Sequence, residues 1–380
     1  MSMKINILSP GRSHLSDLAR ELHNNGFDVK FYSFVPTKRL TKFGLPRCCS
    51  TSLFLPLLPF IVLRRLLSNK KTASLLRKAQ DFLMSVVMRK TDVTIAWSGD
   101  FNKSLDKAKR RGDIVIVERG CKHILEQKRI LESIPANKGK VIINDANAER
   151  ELHDYRVADY VSVASRHVVD SFQKQNYPME KLFLNPYGVN VSMFYPDDTV
   201  EKKYDAIMVG NWCYRKGCDM IVDAIRNLGY KLLHVGSITD CPFPQNDESF
   251  THVDSVQEYN LVNYYHQAKI FVMPSREDGF GMVYSQALAC NLPIVGSIDS
   301  GAPEIKCRVA MPQCVIIIDD YTTKSVMKGI KEAMSQYEML QGVQYAGNAI
   351  GDLTWDAYGR RYSEWLHTIL SKKGINEGNI

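Results

Sequence analysis

Short β-branched runs recur along this chain, each separated from the next by a helical or polar segment rather than a tight turn. Residues 4–9, 28–34, 93–96, 114–117, 141–143 and 160–163 have this form in the first half, and 205–210, 231–235, 270–273, 294–296 and 314–318 in the second. Antiparallel neighbours can be joined by two residues, whereas parallel neighbours need a crossover of a dozen or more, usually a helix. The spacing therefore predicts an α/β chain of parallel sheets. Helical periodicity at 16–25, 148–158, 166–175, 220–228, 259–267 and 355–370 supplies the crossovers. With 380 residues there is chain for two such units, and the polar run 197–203 reads as the linker between them. The expected division is 1–196, 204–353 and a closing helical segment 354–380.

Composition is globular, with 45% hydrophobic and 24% charged residues. Charge is concentrated in one place: between Lys38 and Lys90 there are twelve Lys or Arg and one acid, Asp81. The same segment holds LFLPLLPFIVL at 53–63, too short and too broken by proline to span a bilayer. Apolar residues flanked by bases suit peripheral contact with an anionic membrane surface; the other reading is a core helix with a basic outer face. The segment lacks interleaved aromatics and the rest of the chain is nearly neutral, so nucleic acid is not an expected partner. Nine scattered cysteines without a CxxC pair, and an N-terminus MSMKINILSPGRS unlike a signal peptide, point to a reducing cytoplasm, with peripheral attachment at the inner membrane face.

The most informative stretch is MPSREDGFGMVYSQALACNLPIVGSIDSGAPEI, residues 273–305. A strand ends at Pro274, a loop follows with Glu277, Asp278, Gly279 and Gly281, and a helix begins near Met282. Asn291 and Pro293 end that helix, a short strand follows, and Asp299 to Glu304 open a second glycine loop. Two strand-loop-helix corners present free backbone N–H groups to an anion, and the adjacent acids suit a polyol. A diphosphate carrying a sugar fits both. Gly11 closes the first strand in an equivalent loop, but GxGxxG is absent, so no dinucleotide cofactor is expected. The strand 114–117 runs into Glu118, Arg119, Gly120, Cys121, Lys122 and His123. Arg119 and His123 are acceptor-side candidates, His123 being otherwise a local cap.

These residues resemble the family 4 glycosyltransferases, retaining enzymes of the GT-B architecture with two Rossmann-like domains facing a cleft. PSREDGFGMVYSQALACNLP stands where that family has PS..E.FG.....EA...G.P, Arg215-Lys216-Gly217 matches a basic residue before glycine, and NPYGVNVSMFYP resembles its linker entry P.GVD...F.P. The resemblance covers residues 140 to 370 well and the first 140 in outline. It implies a closing helix, starting near Trp355, that crosses back to the first domain. It implies that Arg215 and Lys216 neutralise the donor diphosphate and that Asp278, with Glu277 one place earlier, holds sugar hydroxyls. Gly279, Phe280, Gly281, Met282 and Val283 would bring backbone N–H groups to sugar and phosphates. Gln286 would hold the ribose in place of the family's second acid, and Asn211 stands where an arginine is common.

The implied reaction transfers a hexose-type sugar from a nucleoside-diphosphate sugar to a hydroxyl of a glycan or lipid-linked glycan, as in cell-surface polysaccharide assembly. Arg215 and Lys216 supply the counter-charge, so no metal or other cofactor is expected. The alternatives are a sugar-nucleotide 2-epimerase of the same fold and a non-catalytic nucleotide-sugar-binding subunit.

Overall fold

A computed structural model of the chain describes residues 2–67, 69–340 and 350–372. The last eight residues of the expected closing segment, and 341–349, lie outside them. The first sheet contains β1 (Lys4–Leu8), β2 (Asp28–Ser33), β3 (Ser50–Ser52), β4 (Val93–Trp97), β5 (Ile114–Arg119), β6 (Tyr160–Val163) and β7 (Leu182–Leu184). They are ordered β3-β2-β1-β4-β5-β6-β7, and every pairing is parallel. The second sheet contains β8 (Tyr204–Val209), β9 (Leu232–Val235), β10 (Phe250–Val253), β11 (Ala268–Val272), β12 (Ile294–Ser297) and β13 (Val315–Ile318), ordered β10-β9-β8-β11-β12-β13 and again parallel throughout. This is the two-domain α/β fold that the strand spacing predicts.

Strand order reverses between β1 and β4 in one sheet and between β8 and β11 in the other. At such a reversal the neighbouring loops leave in opposite directions and open a crevice beyond the carboxyl ends of the strands. The loops that matter are therefore those after β1, β4, β8 and β11. The central strands β1, β4 and β5 are buried along nearly their whole length, which explains why apolar residues occupy both faces of each, with Asn6 and Thr94 among the buried exceptions.

Sequence patterning misplaces the elements at the sheet margins. Residues 141–143 are not a strand: Val141 is exposed and β5 pairs directly with β6. A three-residue apolar run carries too little periodicity to separate a strand from a loop. In the other direction, β10 begins inside 245–251, a stretch that reads as loop, and β3 is Ser-Thr-Ser. Both are edge strands, paired on one side and half-buried, so neither needs an apolar signature.

The helix Trp355–Lys372 lies against the first domain. Trp365 stacks on Phe183 with centroids 4.0 Å apart, Asn185 Nδ2 donates to the Tyr358 carbonyl at 3.1 Å, and Arg361 Nε donates to Asn185 Oδ1 at 2.7 Å. Residues 53–63 fall at the start of the helix Phe54–Leu67, which pairs with Lys70–Val87 as an antiparallel hairpin. Only Leu57 of the first helix is buried, while Leu55 and Leu66 are each 76% exposed. A simple core helix is therefore excluded. Among the described residues, no helix is long and apolar enough to cross a membrane.

Candidate functional site

The loop after β8 makes one tight helical turn at Tyr214–Lys216 and sets two cations side by side. The loop after β11 answers them with two acids. Arg215 Nη1 donates to Glu277 Oε2 at 3.0 Å, and Lys216 Nζ donates to Asp278 Oδ2. Burial opposes ionisation of Asp278, but the charges of Lys216 and Arg215 outweigh it and hold the carboxyl below the usual carboxylate range. The Arg215 guanidinium loses hydration on burial yet stays charged because Glu277 lies against it. Arg276, which patterning did not single out, clamps the two loops: it donates to the Tyr214 carbonyl at 2.6 Å and forks onto Asp219 at 2.7 and 2.8 Å.

Gly281 adopts φ +70° and caps the helix Met282–Ala289, and Asn291, also left-handed at φ +64°, follows its end. This leaves the N–H groups of Met282 and Val283 at a helix start beside the acids, with both residues half-buried. Phe280 is buried and its ring meets Tyr187 edge-on at 5.4 Å, so it anchors the loop.

The two domains meet at Gly279. A Cβ there would lie 1.8 Å from the Gly120 carbonyl oxygen, so the backbones touch. The Gly279 carbonyl accepts from Ser165 Oγ at 2.5 Å and from His167 Nε2 at 3.1 Å. Burial, followed by the charge of Lys122, lowers the His167 pKa to about 4, so the ring is neutral when it donates. Lys122 Nζ also crosses the cleft, to Asp299 at 2.7 Å.

Arg119 lies at the centre of this junction but is fully occupied. It donates to Glu151 at 2.7 Å, to Gln127 Oε1 at 2.8 Å and twice to the Lys122 carbonyl. Gln127 in turn donates to Glu277 Oε2 at 3.0 Å. A continuous chain thus runs Glu151, Arg119, Gln127, Glu277, Arg215. His123 is not part of it. Its ring caps the helix Ile124–Ser133 and packs on Tyr155 and Phe172 at 5.0 and 4.9 Å, and burial lowers its pKa to about 4.

Gln286 is buried, accepts from Tyr265 at 3.1 Å and donates to Glu258 Oε1 at 3.4 Å. Glu258 pairs in turn with Arg12 from the Gly11 loop, which joins the crevice of one sheet to that of the other. A carboxylate absent from position 286 is therefore present within reach of it. Asn211 is exposed at the carboxyl end of β8.

A cavity of about 500 Å³ adjoins this corner and reaches Arg215, lined on the first domain by the loop after β4 and by Ile142 and Ile143.

The family described as glycosyl transferases group 1 matches residues 203–335. Residues 203–335 are a domain of that family. The chain is 22% identical over 259 residues to a probable sucrose-phosphate synthase of Thermosipho melanesiensis, covering 61% of this chain and 55% of the relative. It is 22% identical over 240 residues to a GDP-mannose-dependent alpha-(1-6)-phosphatidylinositol monomannoside mannosyltransferase of Mycolicibacterium smegmatis, covering 55% and 62%. The matched stretches span between 33% and 62% of the lengths of the curated relatives. In structure it resembles Anabaena HepE in complex with UDP-glucose, with a TM-score of 0.63, 13% identity, and 96% and 100% of the two chains covered. That likeness establishes the GT-B fold.

Residues 203–335 hold Arg215, Lys216, Glu277, Asp278, Gly279 and Gln286, which the glycine-loop pattern and the family resemblance single out. Of the residues contributed across the cleft, Lys122 stands in the polar cluster 118–123, whereas Gln127, Ser165, His167 and Arg12 had no motif to announce them. All nine cysteines are free. Among the described residues, the one His/Cys/acid group close enough to hold a metal ion is His23, Cys48 and Cys49, with ligand atoms within 4.8 Å of one another. It lies at the end of the helix His14–Asn24, in the outer part of the first domain.

Proposed function

We propose that this chain is a glycosyltransferase that moves a hexose-type sugar from a nucleoside-diphosphate sugar to a hydroxyl of a glycan or lipid-linked glycan, with retention at the anomeric carbon. The carrying observation is the Arg215–Glu277 and Lys216–Asp278 corner facing a large cavity. The cations meet the negative charge that grows on the diphosphate as the glycosidic bond breaks, and they supply it without a metal. Asp278 and the Gly279–Val283 backbone take the sugar, and Gln286 with Glu258 takes the ribose. Arg215 lines the cavity, so an acceptor there approaches on the side from which the diphosphate departs. That approach supports retention.

A thermal-shift panel of UDP-, GDP- and dTDP-sugars tests the reading. At a free concentration of 100 times Kd, a donor stabilises by about 2.7 kcal/mol, and one nucleotide series is expected to raise Tm accordingly. If no nucleotide sugar moves Tm, the reading is lost. Turnover of UDP-N-acetylglucosamine without any acceptor would replace it with the epimerase.

The hairpin of Phe54–Leu67 and Lys70–Val87 supports a membrane-associated acceptor at the cytoplasmic face, in surface polysaccharide assembly. Leu58, Val62, Leu66, Leu75, Phe82 and Val86 are exposed on it beside Arg64, Arg65, Lys71 and Lys78. Sedimentation with liposomes containing phosphatidylglycerol is expected to be strong and to fall with salt, because each base near an anionic surface contributes about 1 kcal/mol. Equal sedimentation with neutral liposomes would remove the argument.

A further inference from the structure

The cavity beside Arg215 has walls of two kinds. Trp97, Asp100 and Glu151 with Arg77 form a hydrogen-bonding side, whereas Leu131, Ile142 and Ile143 form an apolar one. Most charged groups around it are already engaged. Glu151 accepts from Arg119, Asp154 accepts from the Gly99 N–H at 2.6 Å, and Arg150 donates to the Gly99 carbonyl. Asp100 and Arg77 differ. They face each other at 3.9 Å, Arg150 Nη2 is 3.7 Å from Asp100, and no hydrogen bond reaches either residue's side chain among the described residues. Among the described residues, Arg77 Nε is buried without a hydrogen-bond partner. An acid and a base with unused hydrogen-bonding capacity, beside an indole ring, match the alternating donors, acceptors and flat C–H faces of a sugar.

The apolar side continues outward. Ile142 is 38% exposed and Val141 72% exposed at the end of this wall, and Arg77 belongs to the helix that carries exposed Leu75, Phe82 and Val86. A purely polar acceptor would leave this wall unused.

We propose that this cavity binds the acceptor as a glycoside, its sugar against Trp97 with hydroxyls shared between Asp100 and Arg77, and its apolar aglycone along Leu131, Ile142 and Ile143. This rests on the glycosyltransferase reading and adds to it the acceptor class and the residues that select it. Asp100 acts as its carboxylate, because an ionised oxygen accepts a stronger hydrogen bond than a neutral acid.

The proposal carries a pH signature. Burial raises the Asp100 pKa to about 6, opposed by Arg77 of its neighbouring helix and Arg150, and reinforced by Glu151 and Asp154 of the helix Asp145–Val157. Acceptor affinity is therefore expected to weaken as pH falls through 6. Stability has the opposite sign: the folded value exceeds the unfolded one, so ionised Asp100 opposes folding above pH 6, and the penalty disappears at pH 4 and below. Asp100→Asn should raise Tm at pH 7.5 and leave it nearly unchanged at pH 4, which separates lost binding from lost folding.

The test uses the full chain and n-octyl glycosides of glucose, galactose, mannose and N-acetylglucosamine, each below its critical micelle concentration, followed by tryptophan fluorescence. At least one should bind, at least tenfold tighter than its free sugar and than octyl sulfate. Its Kd should rise at least tenfold in Asp100→Asn and become independent of pH between 7.5 and 5. Arg77→Gln should weaken it as well, and Trp97→Phe should remove most of the fluorescence change. Absence of binding across the panel, equal binding of octyl sulfate, or an unchanged Kd in Asp100→Asn overturns the proposal. Donor thermal shifts are read separately. A donor shift without glycoside binding removes only this inference, and glycoside binding without a donor shift removes the transferase reading.

Discussion

Lys216→Ala is expected to lower kcat by about 10²- to 10³-fold, the usual loss when one preorganised charge donor is removed from a site of developing negative charge. With Arg215 and Lys216 as the proposed counter-charge, the wild-type rate should persist in EDTA. The same substitution should destabilise the fold. Lys216 and Asp278 are both buried, and removing one partner strands the other's charge at a cost of about 3–5 kcal/mol. These effects can be separated. Lys216→Met combined with Asp278→Asn removes both charges, so it should recover most of the lost Tm and none of the lost kcat. Recovery of both would make the pair structural and leave the diphosphate without its principal cation. Assays use the donor that the thermal-shift panel selects.

Gly279→Ala is expected to be nearly as damaging, although it adds one methyl group. The new Cβ would lie 1.8 Å from the Gly120 oxygen and 2.9 Å from the Cys121 Cα, and neither neighbour is a side chain able to swing away. The two loops must separate. Glu277, two residues earlier, then moves relative to Gln127 and Arg215, and the cleft loses its register. A misplacement of about 1 Å in a positioned site can cost about 100-fold in rate, and overpacking of this kind costs about 1–3 kcal/mol. Gly229→Ala is the comparison. Gly229 adopts φ +66° at the end of the helix Cys218–Leu228 with open space around it, so alanine should cost about 1 kcal/mol of backbone strain and no activity. Activity of Gly279→Ala within twofold of wild type would show that contact at Gly120 does not position the site.

Both substitutions lie in loops whose pattern is legible from sequence, and the reason is local. Glycine at 279 and 281, acids at 277 and 278 and cations at 215 and 216 each follow a buried strand by a few residues. Strand period, helix start and loop chemistry all act within about ten residues, so one chain segment expresses them. The margins were less legible. Residues 141–143 read as a strand, and Ile142 and Ile143 instead line a cavity, because three branched residues are compatible with either outcome. Glu258 could not be connected to Gln286, since 28 positions and a strand separate them.

The chain alone determined that it would form two parallel α/β units, because its strand-like runs are too far apart for hairpins and its crossovers are helical. It also placed glycine and charge together in the loops at 215–217 and 277–281, because residue types at a strand end have a local meaning. Only the tertiary structure decided that Arg119 is buried and bonded to Glu151 and Gln127, that His123 packs into the first domain, and that Asp100 and Arg77 face a cavity with bonds to spare. Those outcomes depend on which loops the strand reversals bring together and on how many partners each charge finds there. Such neighbours are set by sheet order, and sheet order is a property of the folded whole.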